Sequence, residues 1–309
     1  MNDKVKIMTA AILIALVLSA TPSISASAST KDGAIVHELE YHNGIKNVRE
    51  KRLSYVSNKN IWNYQRFDVH VLGSKLNVSG VTINNIDYIP FRAAANALGI
   101  SYTYDSKNKT SLMSGRGVVL SATEGCFSVY ANDRPLFASS PVVILSDGRM
   151  YIPASSFAKA TGLTVSKNGK NINLTGSFKA LAPSSKFYDP DAVLWLARII
   201  HAESSGEPLL GKIAVGNVVL NRVAHPSYPN TIYGVIFDRK YGVQFSPILN
   251  GTIYNTPSYE STLAAKICLE GFDVSEGTLF FLHPEISTSS WIPKSREYKF
   301  SIGNHDFYA

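Results

Sequence analysis

The chain is predicted to be α+β, with a β-rich N-terminal region followed by a helical C-terminal region carrying a small antiparallel sheet. Three observations predict this. A turn-strand-helix pattern occurs twice in the first half, sixty-three positions apart. A stretch without periodicity, containing Ala182-Pro183-Ser184-Ser185, follows it and reads as a boundary. Beyond that, Val193, Leu196, Ala197 and Ile200 recur at the spacing of one buried helix face.

The N-terminus reads as a targeting segment. Lys4 and Lys6 precede the apolar run Ile7 to Leu18, and Ala26-Ser27-Ala28 has the small-x-small form of a cleavage site. Residues 1–28 are therefore expected to be a signal peptide. The run is short of the roughly 20 residues that span a bilayer, so an uncleaved anchor is the lesser alternative and no stable membrane span is expected after cleavage.

The 309 residues allow two domains, and 45% hydrophobic with 17% charged residues suits packed cores and excludes a disordered chain. The net charge of +7 is uneven: from Asp189 onward nine basic residues meet twelve acidic ones, whereas 21 meet 11 before it. A basic N-terminal half suits retention on an anionic surface, although a solvated positive face would look the same. Export and the lack of a basic-aromatic motif argue against nucleic acid as a partner. Cys126 and Cys268 fall in different halves and read as buried small residues. Seven scattered histidines without C-x-x-C or H-E-x-x-H spacing suggest no metal site, and no cofactor is implied.

In the first half, Tyr88-Ile89-Pro90 leads through an Ala-rich helical stretch to Leu98-Gly99, and Tyr151-Ile152-Pro153 leads to Thr161-Gly162. Turns at Asn84-Asn85 and Asp147-Gly148 open the two units. Proline near each helix start and glycine just past its end follow the usual asymmetry of helix termini. Strand-like stretches follow at 101–104, 163–166 and 171–174. These residues resemble the copper amine oxidase N-terminal-like domain, over about residues 80 to 176. Despite that name, the resemblance implies a non-catalytic spacer or wall-associating module and no copper chemistry. Residues 31–176 are taken as this β-rich domain and 177–187 as a linker.

Asp189-Pro190-Asp191 is a strong helix start: an N-cap, proline at the first position, and acid in the first turn. Glu203 lies seven residues after Leu196 and three after Ile200, so it projects from the apolar face. A carboxylate there is costly unless paired or protonated, and partial burial raises its pKa toward that of a general acid. Spacing alone leaves open a purely structural pairing with Arg198, His201 or Arg222.

The run Ala197-Arg198-Ile199-Ile200-His201-Ala202-Glu203 with Gly206-Glu207-Pro208 resembles the SleB/CwlJ-type cell wall hydrolases, which include spore cortex-lytic enzymes. The similarity continues through Val219-Leu220-Asn221-Arg222-Val223, Pro229-Asn230-Thr231-Ile232, Gln244-Phe245-Ser246, Gly251-Thr252-Ile253-Tyr254, Trp291-Ile292 and Gly303-Asn304-His305. It covers essentially all of 188–309, the expected catalytic domain. The resemblance implies a lysozyme-like helical and antiparallel-sheet fold, with Glu203 as the catalytic residue of a peptidoglycan lytic transglycosylase that cleaves the MurNAc–GlcNAc bond. His283-Pro284 departs from the Asn-Pro of many members, so His283 stays outside the catalytic set.

Such chemistry needs one carboxyl group, whereas two-carboxylate hydrolysis needs a second acid about 5 to 9.5 Å away. Glu207 and Asp238 are the candidates, and Glu207 reads better as the cap of the next helix. Asn221, inside an apolar helix, either bonds across the cleft or satisfies a buried loop. Gln244, Phe245 and Ser246 suit sugar binding in a loop, as do Tyr254 and Trp291 along a groove, although each ring is equally plausible as core. His305 is a weaker candidate. The expected partner is the glycan strand of peptidoglycan, and the expected location is outside the cell, on the wall or spore envelope. A muramidase-type hydrolase, or a binding protein without catalysis, are the rivals. Amide cleavage of the stem peptide would ordinarily need zinc ligands, which this sequence does not display.

Overall fold

The computed structural model describes residues 64–309 except 139, 241 and 288–290, together with the backbone of three earlier strands. The targeting segment lies outside the described residues apart from the backbone of Ser27–Ala28. Two compact units are present. One comprises Met1–Val129 and Ala138–Leu181, and the other Tyr130–Phe137 and Ala182–Ala309.

The first unit is mostly sheet. Strands β1 (Ser27–Ala28), β2 (Val36–His42) and β3 (Ile45–Lys51) pair antiparallel. Strand β4 (Gln65–Val71) pairs with the short β5 (Ser74–Lys75) and with β6 (Gly80–Ile83). Asn84 and Asn85, both at positive φ, turn the chain into β7 (Ile86–Pro90). That is the left-handed region asparagine tolerates best after glycine. Helix α1 (Phe91–Ala97) follows, then an antiparallel meander of β8 (Ser101–Asp105), β9 (Thr110–Gly115) and β10 (Val118–Thr123). The hairpin of β11 (Ser128–Ala131) and β12 (Arg134–Phe137) turns at Asn132 and Asp133, both also at positive φ, and its residues 130–137 belong to the second unit. Strand β13 (Val143–Ile144) leads to β14 (Met150–Pro153), helix α2 (Ala154–Thr161), β15 (Thr164–Asn168) and β16 (Asn171–Thr175). The two Tyr-Ile-Pro strands β7 and β14 pair antiparallel, with Ile89 opposite Ile152. Tyr88 and Tyr151 are fully buried and keep their hydroxyls satisfied, on the Pro141 carbonyl and the Asp147 carboxylate respectively.

The second unit is helical with a small sheet. After α3 (Ser184–Phe187), helix α4 (Pro190–Ser204) starts where Asp189 accepts a bond from the Asp191 backbone N–H. Helix α5 (Leu209–Ala224) is buried along nearly its whole length. It lies at the centre, so its polar residues need partners: Lys212 pairs with Glu260 at 2.8 Å, and Asn217 bonds the backbone of Phe272 and Val274. Gly216 lets three helices close on one another, since a Cβ there would stand 2.7 Å from Cys268 Sγ and 2.8 Å from Ile200 Cδ1. Short helices α6 (Ile232–Ile236) and α7 (Pro247–Asn250) and a 3-10 turn (Thr252–Tyr254) lead to α8 (Tyr259–Leu269), capped by Ser258. Strand β17 (Phe280–Leu282), helix α9 (Trp291–Ser295) and strands β18 (Tyr298–Ile302) and β19 (His305–Tyr308) complete it, with β19 central in an antiparallel sheet.

The whole is mixed α+β, with a β-rich N-terminal region as expected. Cys126 and Cys268 are free and buried, one in each unit. Among the described residues no helix is long and apolar enough to cross a membrane, and no three His, Cys, Asp or Glu side chains converge as a metal site would require.

Candidate active site

Helix α4 delivers Glu203 to a cavity of about 750 Å³ within the second unit. Its walls come from the α4–α5 connection (203–207), Arg222 of α5, the 243–246 loop, β17 with His283, and Trp291. A second cavity of about 630 Å³ shares Gln244, Phe280 and Trp291 with the first and extends to His225, Tyr228 and Arg296. The two cavities are therefore neighbours along one wall of the second unit.

Glu203 has the electrostatics of a general acid. Burial raises its carboxyl from 4.5 to about 7, and the nearby Arg222 cation opposes that shift without cancelling it. Among the described residues no hydrogen bond or ion pair ties the carboxyl down, so the expected structural pairing with Arg198 or His201 is not formed. Arg222 is itself buried and held in place: its Nε donates to the Leu279 carbonyl at 2.8 Å, and the rings of Tyr228, Phe245 and Phe280 surround it at 5.1 to 5.5 Å. Guanidinium stays charged in such surroundings, so a fixed positive charge stands by wherever Glu203 becomes anionic.

The residues singled out from sequence divide clearly. Glu203, Gln244, Phe245, Ser246 and Trp291 all line the cavity. Trp291 is 53% exposed and offers a ring face, whereas Phe245 is only 3% exposed and serves as packing beneath Arg222 rather than as a stacking surface. Asn221 lies outside the lining. Its amide donates to Ser275 Oγ and to the Thr278 carbonyl, so of the two roles open to it the structure selects the satisfied loop. Tyr254 also lies outside the lining, 6.2 Å from the Trp195 ring in an aromatic cluster with Tyr233 and Phe237.

Glu207 requires a correction. It does not cap α5, whose N-cap is Pro208 without a side-chain bond. Both its carboxylate oxygens instead accept from Asn304, one from the backbone N–H at 2.9 Å and one from the side-chain amide at 3.0 Å. Gly303 makes this possible: a Cβ there would sit 1.9 Å from Glu207 Oε2. His305 lies 3.9 Å from the same carboxylate, and burial lowers its pKa although Glu207 pulls the other way. His283 and His305 line the cavity with their rings 6.0 Å apart, and neither Nδ1 has a hydrogen-bond partner among the described residues.

Sequence reasoning named Arg222 only as a possible structural partner of Glu203, left His283 outside the catalytic set and gave β17 no part in the site. The signals available were an arginine inside an otherwise apolar helix and the departure at His283-Pro284.

The cell wall hydrolase family matches residues 206–308. This segment is a cell wall hydrolase domain. The copper amine oxidase N-terminal domain matches residues 70–175. Over 120 residues the chain is 37% identical to a spore cortex-lytic enzyme of Bacillus cereus, covering 39% of this chain and 45% of that protein. The Bacillus subtilis spore cortex-lytic enzyme is 36% identical over 112 residues, which are 36% of this chain and 35% of that protein. The chain thus spans less than half the length of these relatives. Among solved structures, the catalytic domain of the germination-specific lytic transglycosylase SleB from Bacillus anthracis is 35% identical, covers 41% of this chain and all of that one, and has a TM-score of 0.37. The family match begins at Gly206, so what is said of Glu203 rests on its place in the cavity.

Proposed function

We propose that the protein is a secreted peptidoglycan lytic enzyme whose C-terminal unit, a lysozyme-like arrangement, cleaves the MurNAc–GlcNAc bond by transglycosylation. The observation that carries this reading is a single carboxyl group at a titration point of about 7, half-buried in a cavity of about 750 Å³ that adjoins a second of about 630 Å³. Protonated Glu203 donates to the glycosidic oxygen as the C1–O bond breaks. The carboxylate left behind then removes the proton from the muramoyl C6 hydroxyl while that oxygen attacks C1, closing a 1,6-anhydro ring without consuming water. Arg222 favours the anionic form of Glu203 during the interval between the two transfers.

Two-carboxylate hydrolysis is the poorer fit, because Glu207, the other acid lining the groove, is already occupied by two donors from Asn304. Gln244, Ser246 and the exposed ring of Trp291 are the groups that would hold the saccharide. Export, an envelope location and a role on spore cortex follow from the N-terminal sequence and from the names of the relatives.

Mass spectrometry of sacculi digested with the purified protein tests the reaction. Anhydromuramic ends are expected, and reducing muramic ends would show a hydrolase. Glu203→Gln should release neither product. A variant that still lyses walls would remove Glu203 from the role of acid.

A further inference from the structure

The first unit holds a cavity of its own, about 300 Å³, which the cleavage reaction does not use. Arg92 and Asn96 of α1, Tyr102 and Tyr104 of β8, Arg149 from the turn before β14, and Asn77 are among its lining residues. Arg92 and Asn96 stand four apart on one helix face, and the two tyrosines stand two apart on one face of the strand. No carboxylate lines the cavity, and among the described residues none pairs with Arg92. Arg149 meets Asp147 at 3.2 Å while remaining half exposed.

Packing does not demand these residues. Sixty-three positions along, the sequence repeats the buried framework, with Tyr88, Ile89, Pro90 and Gly99 matched by Tyr151, Ile152, Pro153 and Gly162. The cavity residues are not repeated: Arg92, Asn96, Tyr102 and Tyr104 give way to Ser155, Lys159, Val165 and Lys167. One wall is nevertheless pre-formed. Tyr102 is pinned by the edge of Phe91 at 5.4 Å and by a bond to Ser111 Oγ, with the Arg92 guanidinium 5.0 Å from its ring centre. Tyr104 is 41% exposed and leaves a ring face open.

We propose that this cavity is a second glycan-binding site that takes one carboxylate-bearing amino sugar, of the N-acetylmuramic acid kind, with its ring against Tyr104 and its carboxylate against Arg92 and Arg149. Aromatic faces hold pyranose rings, arginine forks match carboxylates, and the volume is at the small end of ligand pockets, enough for one sugar unit rather than a strand. The net positive charge of the N-terminal half favours an anionic ligand at longer range. The choice of a wall sugar rests on the proposed function; the anion-and-ring chemistry does not.

The test uses the full chain carrying Glu203→Gln, so that nothing is digested, and reads hydrogen exchange with and without free N-acetylmuramic acid, whose lactyl carboxylate is unblocked. Protection is expected across residues 91–104 and 144–150, and affinity at this site should fall about tenfold for each of R92Q and R149Q, both changes at exposed positions. Y104A should weaken binding as well. Unchanged exchange in these segments, unchanged affinity in the arginine variants, or equal protection by neutral N-acetylchitotriose would overturn the proposal. So would protection by poly(glycerol phosphate) with none by N-acetylmuramic acid, which would make the site one for wall phosphate polymers. Because binding here is read separately from product release, a chain that binds at this cavity yet cleaves nothing would sink the proposed function and leave this inference standing.

Discussion

Replacing Glu203 by Gln is expected to stabilise the C-terminal unit, and to do so only above the ordinary carboxyl range. Burial raises the folded-state titration of Glu203 from 4.5 to about 7. Between those values the folded protein keeps a proton that the unfolded chain has released. Stability therefore falls as pH rises, by about 1.4 kcal/mol per unit. Over the interval of about 2.5 units the loss accumulates to about 3 kcal/mol, and above pH 7 it stays constant. Glutamine fills the same space without ionising and escapes the loss. For a unit of this size the difference is roughly 10 °C in Tm at pH 8, shrinking to nothing near pH 4.5. Scanning calorimetry of parent and variant at pH 4.5, 6 and 8 measures it. A difference independent of pH, or a parent more stable than the variant at pH 8, would refute the argument that desolvation governs this carboxyl. The same titration predicts that lytic activity declines above about pH 7, as the acid loses the proton it must donate.

Arg222→Met removes the cation that lowers the Glu203 titration, so the alkaline limb of the activity profile should move to higher pH; an unmoved limb would show that the two charges do not interact. The same change strips the Leu279 carbonyl of its donor and should cost about 1 to 3 kcal/mol in denaturant melts. Asn221→Ala should destabilise by about 1 to 3 kcal/mol and leave KM for sacculi unchanged, since its amide holds the 275–278 loop; a KM effect on a stable variant would place it on the substrate instead. Gly216→Ala drives a methyl group to within 2.7 Å of Cys268 Sγ, and about 1 to 3 kcal/mol of overpacking should appear as a lowered Tm. Glu207→Gln should loosen the C-terminal turn at Asn304 yet still yield anhydromuramic ends; a switch to complete inactivity in a folded variant would make Glu207 a second reacting acid.

Local features were legible in the sequence, and long-range partnerships were not. The Asp189 cap and the apolar face of α4 depend on neighbours within a turn or two, where spacing carries the information. Spacing likewise set the direction in which Glu203 points, through its offset from Leu196 and Ile200, whereas the role expected of it came from the family resemblance. Asn221 finds its partners 54 and 57 positions away, and Glu207 meets Asn304 97 positions away, so no periodicity could say which role each would take. Phe245 and Tyr254 were both expected at the groove; Phe245 sinks beneath Arg222, while Tyr254 stays exposed beside Trp195 and outside the cavity lining. An aromatic side chain's choice between groove and core depends on which surfaces meet it in three dimensions. The division of the units shows the same thing. A proline-containing stretch suggested a boundary near 177–187, yet the hairpin segment Tyr130–Phe137 clusters with the C-terminal residues.

The two buried thiols equip the molecule with a built-in gauge. Cys126 and Cys268 sit one to a unit, each about 2% exposed, and Cys268 donates to the Ile213 carbonyl at 3.3 Å while burial pushes its thiol up. Neither can react with an alkylating reagent until the surrounding segment opens. Labelling kinetics at the two positions, followed by peptide mapping, would therefore report the opening free energy of each half in a single unmodified sample. The same concealment means that a change of redox conditions would find no accessible sulfur to act upon at either site.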